Sequence, residues 1–200
     1  TERPNGLSIS PNGNITMVGE FSGTAVFDGG TITSMFDPLL QQLGTDVFIA
    51  GYSAAGAPLW LKHGAAEFTD KAVDVVSDAQ NNLYVCGQFS DTITFDAVHA
   101  NAMVNAIFLM KLDPLGNEVW FRTCGGGVVD VVNDMLLTST GQLLLCGDVR
   151  GNMYYLDGST DVIHAQDDYA YFLLQVDTAG EHVAHSVLGS DSPVSAQAID

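Results

Sequence analysis

Leu83–Ser90, which reads Leu-Tyr-Val-Cys-Gly-Gln-Phe-Ser, is the stretch of sequence that decides the fold. The same succession of apolar residues, glycine and an aromatic residue occurs at Met17–Ser22, and a shorter version occurs at Leu145–Asp148. The matched glycines lie 68 and 60 residues apart along the chain. A pattern that returns at such intervals indicates tandem repeats, which have to be recognised before any single element is assigned.

Further landmarks recur in the same order around each glycine. They comprise an aromatic residue, an apolar–Asp pair, a strand that begins with Phe, and a Trp. The repeat positions are Gly19, Gly87, Gly147, Phe21, Phe89, Phe48, Phe108, Phe172, Trp60, Trp120, Asp28, Asp96 and Asp157. We interpret them as structural positions: glycines where a strand ends and the chain kinks or another backbone comes close, and aromatic residues that fill space between units. The third copy departs from the pattern, with Val149 in place of Phe and Ala184 in place of Trp.

The matches divide the chain into units at 1–70, 71–130 and 131–194, and residues 195–200 align with the start of a further unit. In the second unit the expected strands are Ala72–Ser77, Leu83–Phe89, Ile107–Leu112 and Glu118–Thr123, with an additional short strand at Thr92–Phe95. A weak helical pattern covers Phe36–Leu43. Four short strands per unit, joined by Gly- and Asn-rich turns, predict an all-β fold. The spacing predicts a segment of about three β-propeller blades plus the first strand of a fourth, within a larger ring.

Composition restricts the partners. The chain of 200 residues carries 6 Lys+Arg against 24 Asp+Glu, a net charge of −18. Nucleic acid and anionic membranes are therefore not expected to bind, because phosphate recognition needs clustered cations. Hydrophobic residues make up 46% of the chain, which is enough for a core, but no apolar run approaches the length of a membrane helix. The chain begins at Thr1 without a leader pattern, and the expectation is that a leader was removed or left out.

The second unit contains a recognisable series of residues: Asp78, Asn81-Asn82, Tyr84–Gly87, Phe89, Phe95-Asp96, Phe108, Asp113, Gly116-Asn117, Trp120 and Gly125-Gly126. This series resembles the SBBP-type β-propeller repeats of bacterial secreted and cell-surface proteins. The resemblance covers nearly the whole chain, strongly in two units and moderately in the third. It implies an extracellular or surface-displayed scaffold, often exported by the type IX secretion pathway. It brings no shared catalytic motif.

The resulting expectation is a non-enzymatic scaffold that binds other proteins, with no cofactor. Its partners would be further blades of the same longer chain or other protein subunits, and the connections Asp91–Ala106 and Gly151–Asp168 are the expected contact regions. Two alternatives remain. One is a subunit of a polymeric surface filament, in which neighbouring chains satisfy the open blade edges. The other is a carbohydrate-active propeller enzyme, which would need acids and histidines that converge on the channel.

Two sets of acidic residues are candidate sites. The acidic residues could bind calcium, which prefers oxygen ligands. However, no D-x-D-x-D-G loop occurs, and Asp167-Asp168 is an isolated pair, so these acids are interpreted as solvated loop residues. Asp74 and Asp134 occupy equivalent positions near the channel and would be the acid–base pair of an enzyme, although the first unit has Gly6 there.

The remaining motifs favour structural roles. His182 and His185 are expected on opposite faces of a strand because their offset is odd, which argues against a metal site. Gly125-Gly126-Gly127 lacks the Lys-Ser and helix of a phosphate-binding loop. The odd number of cysteines argues against a disulfide framework, and Cys86 and Cys146 are expected to be buried.

Overall fold

The computed structural model of the chain describes residues 1–39, 41–66, 68–96, 98–101, 105–126, 129–155, 162–164, 169–190 and 198. Those residues form β-strands, turns and bends, so the all-β prediction is confirmed. A helix long and apolar enough to cross a bilayer does not occur among them.

Within the described residues, twenty strands follow one another. Their bounds are β1 Glu2–Ile9, β2 Ile15–Phe21, β3 Thr24–Phe27, β4 Gly30–Thr33, β5 Phe36–Asp37, β6 Gln42–Leu43, β7 Asp46–Tyr52, β8 Pro58–Ala66, β9 Lys71–Ser77, β10 Leu83–Phe89, β11 Thr92–Phe95, β12 Val98–Asn101, β13 Ala106–Leu112, β14 Glu118–Gly125, β15 Val129–Leu137, β16 Gln142–Arg150, β17 Asn152–Tyr155, β18 Val162–His164, β19 Tyr169–Asp177 and β20 His182–Ser190. The strands expected in the second unit, including the short one at Thr92–Phe95, are confirmed to within two residues.

The long strands form three antiparallel sheets, one for each repeat unit. Sheet 1 has the order β1-β2-β7-β8, sheet 2 the order β9-β10-β13-β14, and sheet 3 the order β15-β16-β19-β20. The hairpin β11–β12 of the second unit pairs with β8 and so extends sheet 1, and the hairpin β17–β18 of the third unit pairs with β14 and extends sheet 2. Each of these two sheets is therefore completed by residues of the following unit.

The helical expectation at Phe36–Leu43 was wrong. Residues 36–37 and 42–43 pair as the two short strands β5 and β6. Asp37 explains the turn between them, because its carboxylate accepts a hydrogen bond from the backbone N–H of Leu39 at 2.8 Å. An Asp side chain that captures a nearby backbone donor competes with helix formation.

The apolar core lies between the sheets. One cluster joins Val18, Val47 and Ile49 of sheet 1 to Phe108 and Met110 of sheet 2. A second cluster joins the other face of sheet 2 to sheet 3, and a smaller third one lies between sheet 1 and the hairpin β3–β4. Phe89, Phe108 and Phe172 thus fill the spaces between successive units, whereas Phe21 and Phe48 belong to the third cluster, within the first unit.

The three repeated glycines lie inside their strands rather than at strand ends, which corrects one part of their interpretation. Each faces a Phe directly across the sheet: Gly19 faces Phe48, Gly87 faces Phe108, and Gly147 faces Phe172. The expected close approach of another backbone is confirmed. A β-carbon on Gly87 would stand 2.3 Å from the carbonyl oxygen of Lys71 and 2.4 Å from the Phe108 ring.

Candidate functional site

The first strands of the three sheets, β1, β9 and β15, surround an open cavity of about 470 Å³. It is lined by Leu7–Ile9, Asp74–Ser77, Leu136 and Leu137. Each of these strands contains one extra residue where its pairing with the second strand shifts: Asn5 in β1, Val73 in β9 and Asn133 in β15. Such β-bulges bend a strand and redirect its side chains. The residues that follow the bulges are Gly6, Asp74 and Asp134.

Asp74 is the most perturbed carboxyl in this cavity. Burial and, to a smaller extent, the negative charge of Asp134 raise its pKa to about 6, although hydrogen bonds from the backbone N–H groups of Val75 and Met135 oppose the shift. The distance from the Val75 nitrogen to Oδ1 of Asp74 is 2.7 Å. Gly6 leaves space for this side chain, because a β-carbon there would stand 3.0 Å from Oδ1 of Asp74.

Asp74 and Asp134 lie on the neighbouring strands β9 and β15, near enough for the charge of Asp134 to act on Asp74. A carboxyl with a pKa near 6 is partly protonated near neutral pH and can exchange a proton. However, no group of three His, Cys, Asp or Glu side chains suited to a metal ion occurs among the described residues. Of the residues that line this cavity, Asp74 is the only acid, and it lies on a mainly aliphatic wall.

A second group of acids, which the sequence pattern did not indicate, lies in the interior. Asp46 and Asp70 are fully buried, and the backbone N–H of Asp70 donates to the carbonyl oxygen of Thr45 at 2.8 Å. Burial, together with the smaller effect of the charges of Asp46 and Asp91, raises the pKa of Asp70 to about 8, while the hydrogen bond from the Ser90 N–H opposes the shift. A buried carboxyl near a second one is stabilised in its neutral form.

Hydrogen bonds satisfy one carboxyl oxygen of each of these buried acids, whereas Oδ1 of Asp46 and Oδ2 of Asp70 have no hydrogen-bond partner among the described residues. Oδ2 of Asp46 lies 2.6 Å from Nε2 of His63 and accepts the backbone N–H of Met35 at 3.0 Å. Oδ1 of Asp70 accepts the backbone N–H of Ser90 at 2.8 Å. These bonds join neighbouring chain segments, so the pair acts as a polar crosslink inside the fold. The sequence offers one signal for it, since Asp46 opens the apolar strand β7.

The expectation that His182 and His185 lie on opposite faces was wrong. Nε2 of His182 is 3.1 Å from Nδ1 of His185. The cause is a bulge, since Val176 pairs with His182 whereas Gln175 pairs with Ala184, which leaves Val183 as an extra residue. The extra residue restores the two imidazoles to the same side of the strand.

The tryptophans connect consecutive units. The indole of Trp60, on β8, lies against Gly116 in a turn of the second unit, and the indole of Trp120, on β14, lies against Gly180 in the third unit. Nε1 of Trp120 also donates to the carbonyl oxygen of Thr178 at 3.2 Å. In both cases a flat ring covers a glycine turn of the following unit.

The acidic repeat positions lie at the hairpin turns. Asp96 directly follows the first strand of the hairpin β11–β12 and forms an ion pair with Lys62 on β8. Asp28 is exposed at the corresponding turn between β3 and β4. Asp157 lies outside the described residues. Phe21 and Phe89 are buried.

The connections expected to contact partners have a structural role where they are described. Within Asp91–Ala106, the hairpin β11–β12 extends sheet 1, and within Gly151–Asp168 the hairpin β17–β18 extends sheet 2. Residues 97, 102–104, 156–161 and 165–168 of these connections lie outside the described part.

The glycine run and the turns have local explanations. Gly125 belongs to β14, Gly126 packs against Tyr154, and Gly127 lies outside the described residues. Asp78 closes its turn by accepting the backbone N–H groups of Gln80 and Asn82, each at 2.9 Å. Partial burial alone would raise the pKa of Asp78, but the hydrogen bonds that it accepts outweigh burial and hold that pKa below its ordinary value.

The three cysteines, Cys86, Cys124 and Cys146, form no disulfide with one another and all are buried, as expected for Cys86 and Cys146. Burial raises the pKa of Cys86 well above its ordinary value, and the charge of Asp74 adds to this effect. Burial also raises the pKa of Cys146, together with the charges of Asp134 and Asp148. A thiol with a raised pKa carries little thiolate and is a poor nucleophile.

Comparison with known proteins assigns no family or function to the chain. No family model matches the chain, and no curated protein matches it. The resemblance to SBBP-type repeats therefore rests on the residue pattern alone.

Proposed function

We propose that the chain is a segment of a β-propeller that serves as a non-enzymatic structural and protein-interaction scaffold, secreted or displayed on the cell surface. The observation that carries the proposal is the completion of each of sheets 1 and 2 by a hairpin of the following unit. Such coupling between successive four-stranded sheets is what a ring of blades requires. It gives a rigid body on which loops and edges can be presented to partners.

The packing between units supports the same architecture. The first strands β1, β9 and β15 line one common cavity, as the innermost strands of blades line a central channel. Apolar clusters fill the space between sheet 1 and sheet 2 and between sheet 2 and sheet 3. A crystal structure of the chain would test the arrangement. We expect the three sheets to be arranged as blades around one axis, and two sheets packed face to face as a sandwich would contradict the proposal.

The surface properties support a scaffold role outside the cell. A net charge of −18 favours solubility and disfavours nonspecific contact with nucleic acid and anionic lipid. The SBBP-type pattern points to a secreted or surface-displayed protein. An antibody raised against the chain tests the location: it should bind intact source cells or their culture medium, and a signal seen only after lysis would contradict the proposal.

A carbohydrate-active enzyme is the second candidate, and the observation that favours it is the raised pKa of Asp74 beside Asp134. A pair of carboxyl groups is the usual equipment for glycoside hydrolysis. The test is hydrolysis of a panel of aryl glycosides by the wild-type chain and by Asp74→Asn. Turnover that the substitution abolishes would establish the enzyme and overturn the scaffold, whereas no turnover by either protein supports the scaffold.

A further inference from the structure

A cleft of about 410 Å³ lies between units 2 and 3, where the strands β9 and β15 end. One wall is the turn at residues 78–82 of unit 2, and the other is the turn at residues 138–141 of unit 3. Lys111 of β13 and Thr178, from a second turn of unit 3, also line it. Small-molecule sites in proteins usually have volumes of roughly 300–1,000 Å³. The cleft is therefore large enough for a small ligand.

The corresponding crevice between units 1 and 2 is nearly filled. Its volume is about 10 Å³, although residues at the same repeat positions line it. Five repeat positions line both junctions, and they hold, in the same order, Ser10, Asn12, Gly51, Asn81 and Pro114 at the first and Asp78, Gln80, Lys111, Gly141 and Thr178 at the second. Because the two junctions share one architecture, the differences between these residues show which side chains open the cleft.

Gly141 is the first of these differences. Between units 1 and 2, the side chain of Asn81 spans the crevice, and its Oδ1 accepts the backbone N–H of Asn12 at 2.9 Å. Gly141 has no side chain at the same place, and an added β-carbon there would meet no described atom within 4 Å. The backbone is alike at both positions, with φ of 65° at Asn81 and 78° at Gly141. The missing side chain therefore leaves the two turns unconnected.

Lys111 is the second difference. Gly51 holds this position in unit 1, where a β-carbon would stand 2.3 Å from the ring of Trp60. Nζ of Lys111 lies 5.1 Å from the centre of the Tyr84 ring and donates to the carbonyl oxygen of Thr178 at 3.3 Å. Lys111 takes part in none of the ion pairs that the described residues form. Since an ammonium group has three N–H donors, Lys111 keeps donors for a ligand.

The charge of Lys111 is balanced by its surroundings. The carboxylate of Asp78 accepts hydrogen bonds from its own turn and from the hydroxyl of Tyr84, so its charge is held at the edge of the cleft. Burial raises the pKa of Tyr84 above its ordinary value, and the charges of Asp78 and Asp177 add to this effect, so both acids lie near the ring that Lys111 covers. An anion would therefore gain little on entering, whereas an uncharged ligand rich in oxygen atoms meets no such repulsion.

We propose that the cleft between units 2 and 3 binds a sugar residue, an uncharged ring that carries several hydroxyl groups. Lys111 donates to an oxygen of the sugar. Gln80 and Ser139 line the cleft from its two walls and are exposed, and they exchange hydrogen bonds with the remaining hydroxyl groups. This site goes beyond the scaffold function and does not depend on the number of blades. It is also separate from Asp74, which does not line the cleft.

The two tryptophans of the chain provide the readout. Nε1 of Trp120 donates to the carbonyl oxygen of Thr178, which also accepts the Lys111 donor, whereas Trp60 lines the filled crevice and is the internal control. The experiment follows the two indole N–H signals of the isotope-labelled chain by NMR while D-glucose, D-galactose, D-mannose, L-fucose or N-acetyl-D-glucosamine is added.

We expect at least one of these sugars to shift the Trp120 signal in a saturable way and to leave the Trp60 signal in place. The dissociation constant should be of the order of 1 mM, which is typical of a single small ring. Five sugars without effect on Trp120, or equal shifts of both signals, would overturn the proposal. Sodium acetate and sodium phosphate are titrated in the same way, and saturable binding of either anion in place of the sugars would overturn the uncharged ligand.

Gly141→Asn should close the cleft, because it supplies the side chain that Asn81 provides at the other junction. Asparagine suits this backbone, since Asn81 already adopts it. We expect sugar binding to weaken at least tenfold, which is roughly the effect of losing one hydrogen bond. Gly56→Asn is the matched control, with φ of 80° and open space around an added β-carbon, and it should bind the sugar normally. Normal binding by Gly141→Asn would overturn the site.

Lys111→Gln tests the ammonium group without closing the cleft. Gln175 holds the same repeat position in unit 3, so the strand tolerates this residue. The loss of a charged donor should weaken sugar binding by roughly tenfold to a hundredfold. Lys62→Gln makes the same change of charge at the Asp96 ion pair, outside the cleft, and should leave the affinity unchanged. Equal affinities of Lys111→Gln and Lys62→Gln for the sugar would overturn the role of Lys111.

Discussion

Gly116 lies directly under the indole of Trp60, which belongs to the preceding repeat unit. A β-carbon on this glycine would stand 2.6 Å from Cδ2 of Trp60. The glycine also adopts a left-handed backbone conformation, with φ of 82°. Two constraints therefore favour glycine at position 116: the left-handed backbone conformation and the indole ring that covers it. The contact between Trp60 and Gly116 couples unit 1 to unit 2.

Substituting Gly116 by Ala separates these two constraints when Gly56→Ala serves as the control. Both glycines have nearly the same φ, 82° and 80°, but nothing lies within 4 Å of the added carbon at Gly56. Gly56→Ala should cost only the backbone strain of roughly 1–2 kcal/mol. Gly116→Ala should cost more, because the indole must also move. Urea unfolding would measure the difference in the free energy of unfolding. Equal losses of stability in the two variants would show that the Trp60 side chain can move aside without cost.

Gly87→Ala is expected to prevent folding. The new methyl group would meet the Lys71 carbonyl oxygen at 2.3 Å on one side and the Phe108 ring at 2.4 Å on the other. Gly29→Ala is the control, since its nearest neighbour, on Pro58, would lie at an ordinary 3.5 Å. Circular dichroism and the yield of soluble protein would report the outcome. A folded Gly87→Ala protein of normal stability would contradict the close approach.

Asp70→Asn should change the pH dependence of stability. The pKa of Asp70 is raised from 3.8 to about 8 on folding, so the native state holds a proton that the unfolded state releases above pH 4. The contribution of Asp70 to stability is therefore greatest below pH 4 and is lost as the pH rises to 8. The neutral amide avoids this loss while keeping an acceptor for the Ser90 N–H.

We therefore expect Asp70→Asn to match the wild type at pH 4 and to be more stable by more than about 1.4 kcal/mol at pH 8, the equivalent of one pKa unit. Denaturant unfolding at both pH values is the measurement. Asp28→Asn, at an exposed turn, is the control and should leave the difference between pH 4 and pH 8 unchanged. A lower stability of Asp70→Asn at pH 8 would show that the buried carboxylate is required.

Thiol titration should distinguish the folded from the unfolded chain. Cys86, Cys124 and Cys146 are buried, and the pKa values of Cys86 and Cys146 are raised. A chromogenic disulfide reagent at pH 8 should therefore react slowly with native protein and rapidly with all three thiols in denaturant. Rapid reaction of one thiol in native protein would mean that its unit opens locally.

The repeat pattern predicted the strands of the second unit because each is a short apolar run bounded by turn residues. It could not predict the contact between His182 and His185. Side chains along a strand alternate between its two faces until an extra residue interrupts the register, and nothing in the sequence around Val183 marks it as that extra residue. The buried pair Asp46 and Asp70 was missed for another reason. An isolated Asp is interpreted as a surface residue unless its hydrogen-bond partners are known, and those of Asp46 and Asp70 lie 11 to 20 residues away along the chain.

The hairpins that extend sheets 1 and 2 determine how much of the chain must be synthesised before each sheet edge is covered. Strand β8 is the last long strand of its own unit, yet its outer edge stays open until the chain has continued through β9 and β10 to reach β11. A unit made alone would keep that edge open and available for pairing with another molecule. The smallest piece that covers the outer edge of β8 therefore reaches into the middle of the second unit, and a chain truncated at residue 70, which leaves that edge open, should aggregate more readily than the full 200-residue chain.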